Sequence, residues 1–195
     1  MSKKFSSKKY WKDRYNRGKT SGKGSYGDRA IFKTDVLNEF ITKNNIKSII
    51  DLGCGDGNIA SMLNIEKYVG LDISKTAMDT FKERNPDKEV LYYSRNNIKN
   101  LKKTTNDLVM SIDVLFHLIE KSVFKQYLQD LFALPSKYVI IYSSNQEVEN
   151  TEEHVKHIKF LPIVRNNFKN FELKEIIENK CGGRSNFYIF EKKNK

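Results

Sequence analysis

The residues best suited to chemistry fall into three groups: the closely spaced glycines Gly53, Gly55 and Gly57, an acid at Asp72, and the histidines His117, His154 and His157. The glycines follow Ile49-Ile50-Asp51-Leu52 and enclose Cys54 and Asp56. An apolar strand therefore breaks into a turn whose backbone can bend tightly and approach a ligand that a Cβ would exclude. A helix starting near Asn58 would aim its free N–H groups at an anionic part of that ligand. Asp72 closes a second short strand nineteen positions after Gly53, where an acid can accept hydrogen bonds from the two hydroxyls of a ribose. Position 58, the place of the third glycine in a dinucleotide fingerprint, holds Asn, which weakens a nicotinamide reading. His117 follows a strand predicted over 107–115, and an imidazole that titrates near neutrality is suited to take a proton from an attacking group.

These residues meet only if strands and helices alternate so that strand ends share one edge. Ile31, Val36, Leu37, Phe40 and Ile41 predict an amphipathic helix over 30–43. The first strand and its glycine turn follow, then a short helix to about Asn64 and the second strand. A helix N-capped by Ser74 runs through Met78 and Phe81 and stops at Asn85-Pro86-Asp87. A third strand is predicted over 89–93. After the fourth, Val123, Tyr127, Leu128, Leu131 and Phe132 mark a core-facing helix ended at Pro135, and a fifth strand follows over 138–142. Strands over 171–177 and 186–191 pair through a turn at Cys181-Gly182-Gly183. Ligands of open α/β sheets bind outside the carboxyl ends of the strands, so Asp113, Phe116 and His117 should face the reacting group. Residues 1–28 are polar, basic and rich in glycine, an irregular arm with one helical turn around Tyr10 to Tyr15. Tyr10, Trp11 and Tyr15 must either cap the core or stack on a ligand.

Asp51, Gly53, Gly55 and Gly57, followed by Asp72, resemble motif I and the next acidic position of the class I S-adenosylmethionine-dependent methyltransferases. The resemblance implies an α/β, Rossmann-like, doubly wound and mostly parallel seven-stranded sheet ending in an antiparallel hairpin. It implies S-adenosyl-L-methionine as cofactor, held by Asp51, Gly53, Cys54, Gly55, Gly57, Asp72, Ile73, Asn97, Ile98 and Asp113. Many relatives carry Asp where Asn97 stands, and an amide can also pair with an adenine edge. The arm, with Ser21-Gly-Lys-Gly-Ser-Tyr-Gly27, resembles the N-terminal signature of a compact methyltransferase group associated with glycans and sugars. This implies an arm or lid at 1–28 over the cofactor and one methyltransferase domain at 29–195. It further implies O-methylation of a sugar or glycan hydroxyl with His117 as base beside Asp113, and acceptor contacts from Tyr15, Ser25, Tyr26, His154 and His157. Small-RNA 2′-O-methyltransferases also end their fourth-strand motif in His-Leu, as His117-Leu118 does, but place an acid where Phe116 stands. Phe116 cannot ligate, so no metal is expected. RNA methylation and a non-catalytic cofactor-binding module are the alternatives.

The net charge of +11 is compatible with an anionic partner. Lysine and asparagine are abundant together, however, and both have AT-rich codons, so a biased genome also accounts for the balance. The lysines are dispersed apart from Lys3, Lys4, Lys8 and Lys9 at one end and Lys192, Lys193 and Lys195 at the other. A small-molecule or glycan acceptor is therefore favoured over nucleic acid. Two cysteines form neither a disulfide framework nor a zinc spacing; Cys54 fills the glycine turn and Cys181 belongs to the hairpin. No apolar run is long enough to span a membrane and the first residues lack a signal-like core, which predicts a cytoplasmic protein.

Overall fold

The computed structural model describes residues 5–148 and 152–193; Lys3, Lys4 and Lys195 of the terminal basic clusters lie outside them. Seven strands form one sheet: β1 Ser48–Leu52, β2 Lys67–Asp72, β3 Glu89–Tyr92, β4 Asn106–Ile112, β5 Ser136–Ser144, β6 Phe171–Ile177 and β7 Ser185–Lys192. Their order is β3-β2-β1-β4-β5-β7-β6, parallel from β3 to β5, with β7 antiparallel to both of its neighbours. The inner strands are continuous apolar runs because both sheet faces are covered. Helices α2 (Gly27–Lys43) and α3 (Lys75–Arg84) pack on one face around Leu37, Ile41, Ile49 and Phe81. Helices α4 (Arg95–Leu101), α5 (Lys121–Ala133) and α6 (Leu161–Asn167) pack on the other around Ile50, Leu128, Leu131 and Phe160. Strand order reverses between β1 and β4, and this switch point is where an open α/β sheet leaves a crevice. Because β7 is antiparallel, the β6–β7 loop hangs over the carboxyl end of β5, with Ser185 opposite Ser144.

The sheet and the terminal hairpin agree with the sequence expectation, while several helical details differ. The arm carries a ten-residue helix, α1 (Ser7–Asn16), rather than a single turn; Ser6 caps it by accepting from Lys9 N at 3.3 Å. No α-helix follows the glycine turn. A three-residue 3-10 turn, Ala60–Met62, stands there instead. Asn38 of α2 ends it by donating to Met62 O and accepting from Asn64 N, each at 2.9 Å. The helix terminus expected to meet an anion is therefore missing. β4 stops at Ile112, before the anticipated end, because Asp113 takes a left-handed conformation (φ 59°) and the chain turns through a 3-10 segment, Leu115–His117. Val123, expected in the core, is 40% exposed on α5. α4 and α6 were not anticipated; Ser94 caps α4 by accepting from Asn97 N at 3.2 Å.

Candidate active site

A cavity of about 660 Å³ opens at the switch point, walled by the glycine turn, the ends of β2 and β3, the start of α4 and the inner side of α1. Gly53 N and Cys54 N donate to Leu71 O at 2.7 and 3.2 Å, which folds the turn back onto β2. Gly53 has φ 84°, and a Cβ there would lie 2.5 Å from Val114 Cγ2, so only glycine lets the turn pass beneath the chain that follows β4. Asp72 holds the turn in place: Gly55 N donates to one carboxylate oxygen at 3.0 Å and Ser74 N to the other at 2.8 Å. Burial pushes Asp72 up to about 6 against these backbone donors. Asp51 lies deeper. Tyr68 donates to its Oδ2 at 2.6 Å, Oδ1 is buried with no partner among the described residues, and burial raises the group to about 7.

Asp51, Gly53, Cys54, Gly55, Asp72, Ile73 and Asp113 all line this cavity. Gly57, Asn97 and Ile98 stand apart from it. Gly57 packs against Phe81 and Asn85 of the α3 end. The Asn97 amide donates to Tyr92 O at 2.8 Å, and Ile98 is buried in the core because α4 begins at Arg95 and turns that face inward. Tyr92, Tyr93, Ser94 and Arg95 line the wall instead.

The arm lies across this cavity and is tied down at both ends. Ser7 N donates to Glu120 Oε1 at 3.0 Å, Ser7 Oγ to its Oε2 at 2.5 Å, and Thr76 to Asn16 Oδ1 at 2.6 Å. Asp56 of the glycine turn gathers the rest: Ser21 N and Tyr26 OH donate to its carboxylate at 2.8 Å each, and Arg84 to its carbonyl at 2.9 Å. Tyr15 and Ser25, expected as acceptor contacts, line this larger cavity and not the smaller one that adjoins it. Tyr26 serves this tie and is not part of the wall.

A second cavity, of about 310 Å³, adjoins the first and shares Trp11, Ser21, Asp113 and His117 with it. His117 Nδ1 is 2.8 Å from the carbonyl of His154. Trp11 meets the imidazole edge-on at 4.8 Å, and the His154 ring stacks parallel to it at 5.5 Å. Burial, reinforced by neighbouring positive charge including Arg14, pulls His117 down to about 4. His157 is turned away, its Nδ1 2.7 Å from Ser144 Oγ. Asp113 is ion-paired with Lys33, which projects from α2 and is only 1% exposed. Lys33 was missed, although its place with Ala30, Leu37 and Ile41 on the buried stripe of α2 marks a lysine that must find a partner inside. Among the described residues no three His, Cys, Asp or Glu side chains are grouped to hold a metal ion.

A glycine turn at the switch point and an acid at the end of β2, set in a 3-2-1-4-5-7-6 sheet, define the Rossmann-like methyltransferase fold. Residues 50–134 match the family described as "Methyltransferase domain". A methyltransferase domain thus spans residues 50–134, and with it S-adenosylmethionine is the cofactor. The fold is shared with magnesium protoporphyrin IX methyltransferase from Synechocystis PCC 6803 with bound SAM: TM-score 0.70, 15% identity, 99% of this chain and 100% of that one. The methyltransferase domain of bacterial CtHen1-C aligns with TM-score 0.60 and 19% identity over 82% of this chain and 96% of its own. A candidate RNA methyltransferase from Pyrococcus horikoshii aligns with TM-score 0.60 and 15% identity over 94% and 89%. No curated protein matches the chain in sequence. The cavity fits the cofactor on its own evidence: an unpartnered buried carboxylate oxygen at Asp51, and a glycine at 53 where any Cβ would collide. No helix among the described residues is long and apolar enough to cross a membrane.

Proposed function

We propose that this methyltransferase methylates a hydroxyl oxygen of a small acceptor, a sugar or glycan hydroxyl, with His117 as general base. The observation that carries the reading is the place of His117 in the wall common to both cavities, with its Nδ1 at 2.8 Å from a carbonyl oxygen. A carbonyl only accepts, so Nδ1 bears the ring proton and Nε2 keeps the lone pair that a base needs. With a pKa near 4 the imidazole is neutral at physiological pH. A base this weak suffices, because a hydroxyl oxygen becomes strongly acidic as it gains a methyl group and its proton is lost late. Bound S-adenosylmethionine supplies a methyl group already activated by its sulfonium charge. The protein's work is therefore alignment, exclusion of water and proton removal. Gly53, Cys54, Gly55, Ile73 and Asp72 hold the cofactor, and Asp51 Oδ1 is free to take a cationic group. Asp113, engaged by Lys33, positions the acceptor and is not the base.

The arm is the lid. Gly18 (φ 70°) lies in the segment that joins α1 to Ser21, the first residue of the Asp56 tie, and lets α1 swing aside to admit cofactor. RNA methylation is a second reading, favoured by the net charge of +11. Transfer of a labelled methyl group from S-adenosylmethionine into a fractionated extract of the source cell tests both. Label in the carbohydrate fraction is expected; label in RNA, with affinity that falls steeply as salt rises, would replace this reading with the second.

A further inference from the structure

The smaller cavity is lined by cations from four separate segments: Arg14 of α1, Lys23 of the 3-10 turn Lys23–Ser25, Arg29 of α2 and Arg184 of the β6–β7 loop. Among the described residues none of these four is in a salt bridge, and Asp113, the one acid of the wall, is held by Lys33. Composition bias does not account for this. The chain has 28 lysines and seven arginines, yet three of the seven arginines converge on this one cavity. A planar guanidinium matches phosphoryl and carboxylate oxygens in a way that an ammonium group does not. Their field reaches the histidines. Beyond the effect of burial, Arg14 lowers His154 and Arg184 lowers His157. Four cations without a salt bridge around one cavity repel one another, and an anion relieves that repulsion.

We infer that the methyl acceptor carries an oxyanion, phosphoryl or carboxylate, seated among Arg14, Arg29 and Arg184, so that its hydroxyl meets His117. The inference rests on the methyltransferase reading and names the substrate class of that same site. The cavity has the size of a small-molecule site, and its cations converge on one volume rather than forming the open stripe that tracks a nucleic-acid backbone. Gly24 belongs to the construction: a Cβ there would lie 2.9 Å from Asp113 Oδ2, so glycine lets the Lys23 turn close over the cavity.

Trp11, the single tryptophan, lines both cavities and reports on each by fluorescence. Glucose 6-phosphate, glucuronate and glucose are titrated against the protein with and without S-adenosylhomocysteine, followed by the double variant Arg29→Gln/Arg184→Gln, two exposed positions whose change leaves the fold intact. At least one anion is expected to bind about ten-fold or more tighter than glucose. The double variant should lose about ten-fold or more of that affinity, while its affinity for S-adenosylhomocysteine stays unchanged. Which anion prevails identifies the oxyanion. Equal binding of glucose, no binding by any of the three, an unaffected double variant, or tighter binding of a single-stranded RNA hexamer overturns the inference. Failure of S-adenosylhomocysteine to bind the unaltered protein defeats the methyltransferase reading separately, and the anion preference is then read in the cofactor-free protein.

Discussion

The two cavities that meet at His117 are built from opposite charges. The larger is mostly apolar, and of the acids in its wall Asp51 and Asp72 are raised by burial toward neutral pH. The smaller is ringed by guanidinium and ammonium groups with its one acid already paired. A ligand of net positive charge is stabilised in the first and repelled from the second, and an anion the reverse. The difference teaches that, on the proposed reading, charge alone would sort the ligands of the two halves of the site. His117 stands at the boundary, where burial, helped by the field of Arg14, keeps it unprotonated.

The sharpest way to break this division is at the boundary itself. His117→Ala should lower methyl transfer by about 10²–10⁴-fold while sparing S-adenosylhomocysteine affinity, measured by turnover and calorimetry on the same preparation. Full activity would move the base to His154. Asp72→Ala, on the acidic side, should weaken cofactor binding by about ten- to a hundred-fold and leave the anion preference of the other cavity alone. An unchanged cofactor dissociation constant would remove Asp72 from the cofactor site.

Charge on the acidic side also predicts a proton count. A cationic cofactor favours ionised Asp51 and Asp72, so its binding should release protons between about pH 5 and pH 8, the window set by groups near 6 and 7. Calorimetry in buffers of different ionisation enthalpy measures the release, and it should vanish at pH 9, where both groups are already ionised. Release that persists unchanged at pH 9 would assign it elsewhere. The smallest effect concerns the cofactor-free protein. A carboxyl raised in the fold above its ordinary value near 3.9 stabilises fully below that value, and the contribution is lost as pH rises through about 7. Melting temperature should therefore fall from pH 5 to pH 8, by about 2–4 °C for each kcal/mol lost, and Asp51→Asn should flatten the slope. Identical slopes in the two proteins would mean that Asp51 is ionised throughout.

How much of this was legible in sequence depends on how far apart the cooperating residues lie. The glycine turn, Asp51 and Asp72 were legible because a strand, a turn and the next strand end are local features with fixed spacing. The sheet and its hairpin followed from apolar runs. The smaller cavity was not legible as a unit. Arg14, Arg29 and Arg184 are brought together by the arm and the antiparallel last strand, and no local pattern joins residue 14 to residue 184. Ser94 carried a cap signal that was passed over, and α4 turned Asn97 and Ile98 away from the cavity they were expected to line. The missing helix after the glycine turn came from Asn38, a side chain of another element that ends the turn.

The β6–β7 loop touches the smaller cavity through Asn179, Gly182, Gly183 and Arg184 and contributes nothing to the wall of the larger one. It is anchored on two strands paired from Phe171–Lys192 to Ile177–Phe187, with one register shift between Leu173 and Glu175, so its sequence can drift while the scaffold beneath stays fixed. On the proposed reading acceptor choice is a replaceable cassette: transplanting a hairpin tip of different charge should retarget the enzyme and leave its methyl donor untouched.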